Sequence, residues 1–185
     1  MPGPFAAGKL HNLELAARTL NDLVVSPGRV LSLGHVLGDP TLRRGYREGR
    51  MVTASGVVSE AGGGLCQLSG MVYLLSLKVG LRVLERHAHS VDLYDDHTRF
   101  CPLGADATLV YGYRDLRVEN TLPVPIAFRF RAVDAALVGS LCAPRPLAVL
   151  DVRFRRTDLA DGTRDVETWV EGRLVARSWV RVRSG

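Results

Sequence analysis

The chemistry available to this chain centres on Cys66, which follows Gly62, Gly63 and Gly64 and precedes Gln67. The thiolate is the reactive form of cysteine, and unpaired backbone N–H groups at the positive end of a helix dipole favour it. Glycines just ahead of such a helix let the backbone approach a ligand closely. They also expose amide donors for a developing oxyanion. A thiol nucleophile needs a base, and His87 and His89 follow in the chain. On a regular strand these two rings point to opposite faces, so only one of them is expected to look toward Cys66. A carboxylate holding the far ring nitrogen would complete a Cys-His-Asp set, with Asp106 the first candidate and Asp92 the second.

Plainer roles stand beside this one. A cysteine near a helix start is commonly a small buried packing group, and His89 serves equally well as a structural hydrogen-bond donor. Metal binding is a third reading, because His87, His89, His97 and Cys101 crowd together with Asp92, Asp95 and Asp96. Their spacing matches no established structural zinc pattern, and no cofactor is expected. Cys101 and Cys142 lie close to Pro102 and Pro144 and read as small hydrophobes.

The elements that must position these groups follow from periodicity. Leu68, Val72, Leu75 and Val79 form one helical stripe, which predicts a helix over 65–79 closed by Gly80, with Cys66 in its first turn. Leu13, Ala16, Ala17 and Leu20 predict another over 11–23, ended by Pro27-Gly28. Between these helices lie an extended stretch over 30–36, one or two helical turns within 40–50, and a strand or lid-like loop over 51–58. After Gly80 the apolar period changes to that of strands, over 81–86, 90–94, 107–113, 116–120, 126–133, 147–156, 165–169 and 174–183. Asp95-Asp96-His97, Pro102-Leu103-Gly104, Asp161-Gly162 and Glu171-Gly172 read as turns. The expected fold class is α+β: N-terminal helices and a central helix packed on a mostly antiparallel sheet. The order of Cys on a helix start, His on a strand and Asp ahead of the next strand parallels transglutaminase-like and papain-like arrangements, an analogy of architecture.

With 185 residues, 46% hydrophobic and 23% charged, the chain has the composition of one globular domain with a small appendage. The boundaries read as 10–134 for the main domain and 135–185 for a β-strand extension on the same core. The net charge of +5 permits an acidic partner. Arginines alternate with apolar residues in 152–155 and 179–183, which is the pattern of a solvated sheet face. No Cys/His finger or aromatic sheet motif points to nucleic acid, and none is expected as a partner. Three cysteines are too few for a disulfide scaffold, so a reducing compartment is expected. The N-terminus shows no basic stretch leading into an apolar run, and no apolar run is long enough to span a bilayer. The expected location is cytoplasmic.

The block Gly62-Gly-Gly-Leu-Cys-Gln-Leu-Ser69, with Tyr73, Gly80-Leu81, Glu85-Arg86 and His89-Ser90, resembles the VanW family. Upstream, Asn12-Leu13, Ala16-Ala17, Pro27-Gly28 and Gly45-Tyr46 continue the resemblance. Downstream, Gly104-Ala-Asp106-Ala-Thr108, Tyr111-Gly112 and Asn120 do the same, so it runs over about residues 10–130. The chain departs from the family at Gly70-Met71, where a Ser-Thr pair is common, and at Leu74-Leu75. The resemblance implies an accessory role in glycopeptide resistance or envelope biology. Ser69, Arg86 and Ser90 join the glycines and Gln67 as substrate-side candidates.

Two functions compete on these residues. In the first, Cys66 attacks an amide or ester of a peptide-like, peptidoglycan-related ligand, His89 carries the proton, and Asp106 orients His89. In the second, the glycine loop, Arg86 and His89 grip a carboxylate or peptide without reaction.

Overall fold

The computed structural model describes residues 6–21, 23–53, 56–92, 101–133 and 136–182. The expected Asp95-Asp96-His97 turn lies outside the described residues.

Helix α1 (Ala6–Asn21) buries Leu13, Ala16, Ala17 and Leu20 along one face. It starts ahead of position 11 because Ala7, Lys9 and Leu10 are strong helix formers. Its last residue, Asn21, donates to Phe130 O at 2.8 Å and accepts from Phe130 N–H at 2.7 Å, which fixes the helix end to the chain beyond. The stretch expected to be extended over 30–36 is split. Strand β1 (Val30–Ser32) stops where the Ser32 hydroxyl accepts from the His35 N–H and caps helix α2 (Leu33–Leu37). A 3-10 turn follows at Leu42–Arg44, and β2 (Glu48–Thr53) pairs with β3 (Gly56–Ala61) as a hairpin.

Helix α3 (Leu65–Lys78) is the central element and buries Leu65, Leu68, Val72, Tyr73 and Leu77 among its neighbours. Beyond it come β4 (Arg82–Glu85), β5 (Val91–Asp92), β6 (Arg117–Glu119), β7 (Ala127–Val133), β8 (Ala136–Cys142), β9 (Val152–Asp158), β10 (Thr163–Val170) and β11 (Arg173–Val182). The class is mixed α+β with few helices. The strands form several small sheets instead of one: β1-β6-β4, β5-β11-β10-β9, and the pairs β2-β3 and β7-β8. Pairing is antiparallel except between β5 and β11.

Two strand expectations need correction. Residues 86–89 connect β4 to β5 without being a strand, and 105–109 form no strand either. Ala105 to Leu109 are all buried, so their apolar character reflects a strap enclosed on both sides, not a half-exposed strand. The expected solvated face appears on β9 and β11, where Arg153, Arg155 and Arg181 are exposed and Val180 is buried. Among the described residues no helix is long and apolar enough to cross a membrane.

Candidate functional site

The glycine turn is held from behind by α1. Asn12, fully buried, donates to Gly63 O at 3.0 Å and to Arg47 O at 2.8 Å, and accepts from the Arg47 N–H at 2.7 Å. One amide thereby ties the first helix, the entry to β2 and the turn before Cys66. Gly63 lies backbone-to-backbone on Gly49: a Cβ at Gly63 would fall 2.3 Å from the Gly49 carbonyl carbon. Glycine is required there by contact, not only by flexibility.

Gly64 is the N-cap of α3 and has no side chain to cap the helix. The N–H groups of Gly62, Gly63, Leu65 and Gln67 are engaged, with Arg47 O, Glu60 O, Gly62 O and Gly64 O respectively. Those of Gly64 and Cys66 take no such bond among the described residues. The backbone donors free to face a ligand are therefore narrower than the sequence expectation. Gly62, Gly63 and Gln67 are already used, which leaves Gly64 and Cys66 as the candidates among the described residues.

Cys66, Asp106 and His89 meet where α3, the 86–89 connection and the 105–109 strap converge. Within α3, Gly70 lets the strap lie close: a Cβ there would stand 3.0 Å from Ala105 O. The strap is also tied to the histidine segment through Thr108 N–H to His87 O at 2.7 Å. Asp106 Oδ2 accepts from the His89 backbone N–H at 2.6 Å and lies 3.0 Å from His89 Nδ1. A carboxylate only accepts, so Nδ1 carries a proton. Cys66 lies beside the same ring, near enough to act on its charge. The half-buried Cys66 Sγ also lies 3.9 Å from Leu109 O, at the far edge of thiol reach.

The charges are mutually supporting. Burial disfavours a charged His89, but the hydrogen bonds with Asp106 and Cys66 and their negative charges outweigh it and raise its pKa to about 10. Burial also works against an ionised Asp106. The His89 hydrogen bond and the Arg86 charge prevail, and its pKa falls to about 2. The raised His89 and the lowered Asp106 favour an imidazolium beside a carboxylate.

Arg86 is committed inward. Its Nε donates to Asp106 O at 2.8 Å, and Nη2 donates to Gly104 O and Asp106 Oδ1, both at 3.0 Å. Its Cζ lies 5.1 Å from the Tyr73 ring centroid, and its side chain is 7% exposed. That leaves little guanidinium to grip an external carboxylate, the role the sequence suggested. His87 turns to Glu85, with Nε2 3.0 Å from Oε1, and so stands apart from Cys66. Ser90 is exposed and its carbonyl accepts from the Arg181 N–H. Buried Ser69 Oγ, Thr108 Oγ1 and Gln67 Oε1 have no hydrogen-bond partner. Of the metal candidates, His97 lies outside the described residues. Among those described, no group of three or more His, Cys, Asp or Glu side chains is gathered for a metal, and Cys101 is half-buried.

Asn12 and Tyr73 are the site-supporting residues that the chemistry-first reading missed. Both stood in the recognised blocks, but their partners are backbone atoms or side chains remote in sequence.

Comparison with known proteins supplies the family. The chain is 28% identical over 141 residues to the vancomycin B-type resistance protein VanW of Enterococcus faecalis, covering 76% of this chain and 51% of that protein. It is 28% identical over 131 residues to the uncharacterized protein YoaR of Bacillus subtilis, covering 71% of this chain and 42% of that protein. It therefore spans about half the length of the curated relatives it matches. No solved structure matches. The VanW like protein family model matches residues 8–142, the stretch that contains the glycine turn, Cys66, His89 and Asp106, and the chain belongs to that family.

Proposed function

We propose that this chain is a cysteine-dependent acyl-transfer or amide-hydrolysing domain acting on a peptide-like cell-envelope substrate, accessory to glycopeptide resistance. The observation that carries the reading is the imidazole of His89, held through Nδ1 by Asp106 and with Cys66 beside the same ring. The Cys66 thiolate attacks the carbonyl carbon and the S–C bond forms. The N–H groups of Gly64 and Cys66 face the oxygen that gains charge. As the tetrahedral adduct collapses, the C–N bond breaks and the His89 imidazolium gives its Nε2 proton to the leaving amine. Neutral His89 then takes a proton from water or from an acceptor amine, which displaces the thiolate from the thioester. Water completes hydrolysis, and an amine completes transfer. The order of Cys on a helix start, then His, then Asp supports the papain-like and transglutaminase-like parallel at the level of the site. The name of the Enterococcus faecalis relative supports the resistance context.

The test is to incubate the protein with envelope-type peptides and search for an acyl adduct on the Cys66 peptide by mass spectrometry. A thioester on wild type, absent from Cys66→Ala, is the expected result. If wild type forms no adduct and releases no product while Cys66→Ser binds the same peptides equally well, the chain is a binding domain and the catalytic reading fails.

A further inference from the structure

The sheet β5-β11-β10-β9 is built almost wholly from residues beyond 142, where the family match ends. Yet it holds both arms of the His89–Asp106 pair. On the histidine arm, β5 begins two residues after His89 and pairs in parallel with the end of β11, Arg181 opposite Val91 and Val182 opposite Asp92. The Arg181 N–H donates to Ser90 O at 3.0 Å. Arg164 of β10 adds an ion pair to Asp92 at 2.6 Å, with the Asp92 side chain only 2% exposed. On the aspartate arm, Gly104 precedes Asp106 by two residues. A Cβ there would stand 2.8 Å from both Phe154 Cδ1 of β9 and Val166 Cγ1 of β10, so the sheet's inner face rests directly on this backbone. The carbonyl of Gly104 is also one that Arg86 grips. Behind Arg86, Thr168 of β10 stands by the Tyr73 phenol and works against the rise that burial imposes on its pKa.

We infer that the C-terminal sheet is a positioning element of the site, with Arg164, Phe154 and Thr168 setting the geometry of His89 and Asp106 from outside the family core. The consequence for turnover rests on the catalytic reading; the geometric claim does not. A two-residue strand such as β5 has no independent stability. Its place comes from β10 and β11, which through it act on His89 in addition to Asp106's two bonds. Arg164→Gln removes the ion pair that ties β10 to β5, and so loosens the strand that follows His89.

The test uses the full chain with Arg164→Gln and Thr168→Val, and Arg153→Gln on the 69% exposed outer face as control. The readout is the His89 imidazole titration by NMR together with the iodoacetamide alkylation rate at the Cys66 peptide. Expected for Arg164→Gln is a fall in the His89 pKa of at least about half a unit, roughly threefold in its protonation constant, with native circular dichroism retained. Thr168→Val shifts it in the same direction by less, and Arg153→Gln leaves it unchanged. If Arg164→Gln unfolds the protein, Thr168→Val, which keeps the side-chain volume, decides the matter. Unchanged titration and alkylation in the folded variants overturn the inference, even if peptide turnover is found. A shifted titration in a protein that never acylates upholds it and sinks the catalytic reading alone.

Discussion

Asp106 Oδ2 receives two donors from one residue, the backbone N–H of His89 at 2.6 Å and its ring Nδ1 at 3.0 Å. Two bonds to one oxygen fix the ring's rotation as well as its tautomer, because the ring cannot turn without breaking the Nδ1 bond while the N–H holds the carboxylate still. Asp106→Asn removes this. An amide that accepts from the backbone N–H through its only oxygen cannot also stabilise the imidazolium. Acylation is expected to fall roughly 10²–10⁴-fold, the scale of losing an oriented proton carrier. Urea unfolding should show a loss of about 3 kcal/mol, since Arg86 is left buried without its charge partner.

The same pair sets a pH window for stability. His89 has its pKa raised from 6.5 to about 10, so the stability it contributes is complete below 6.5 and is lost as pH rises toward 10. Asp106 is lowered from 3.8 to about 2, so its contribution is complete above 3.8 and is lost as pH falls toward 2. Denaturation midpoints measured across pH should therefore be highest between 3.8 and 6.5 as far as these two groups decide it. His89→Gln should flatten the alkaline slope. An alkaline slope that persists in His89→Gln would place its origin elsewhere.

How much of this was legible beforehand depends on how local the signal was. The start of α3 was readable because the glycines, Cys66 and the 3.6-residue stripe are contiguous, and the helix falls at Leu65–Lys78 as the periodicity requires. The 107–113 strand was misread because period alone cannot separate a half-buried strand from a strap buried on both sides. Strand β8 went unread because Gly139 interrupts its pattern, and that glycine is needed where the Phe130 ring packs across the hairpin. Asn12 stands in a recognised block, but nothing next to it in the sequence signals its task. Its role depends on carbonyls of Arg47 and Gly63, which local pattern cannot bring together.

That role makes Asn12→Ala a strong perturbation. The Arg47 N–H and Gly63 O lose the partner this side chain gives them, while Arg47 O keeps the Gly62 N–H, at about 1–3 kcal/mol for each group left unsatisfied. Some relaxation will soften the sum, so a total near 3 kcal/mol is expected by urea melting. Gly63→Ala should act on the same contact from the other side. The two together should cost less than their sum, because both release the glycine turn from its support.

Ser69 and Thr108 point the other way. Each is buried with a hydroxyl that has no partner, and a buried unbonded hydroxyl is unfavourable. Ser69→Ala and Thr108→Val are expected to leave stability unchanged or raise it by up to about 1 kcal/mol. A loss of that size instead would mean that a bound water satisfies the hydroxyl in solution, and a buried water so placed would itself be part of the site wall.

Arg86 separates the two functional readings more sharply than any residue that touches sulfur. A guanidinium that is 7% exposed, held to Asp106 O, Asp106 Oδ1 and Gly104 O, and stacked on Tyr73 has no free edge for a substrate carboxylate. Its effect must therefore pass through Asp106 and His89. Arg86→Lys keeps the charge but loses the planar fork, because an ammonium at one point cannot reach three acceptors in the geometry of a guanidinium. The expected result is a fall in kcat of roughly 10-fold or more with KM little changed, since only the orientation of the proton carrier is lost. A raised KM at unchanged kcat would mean the opposite: that Arg86 swings out to hold the ligand, and that the inward arrangement is a resting state.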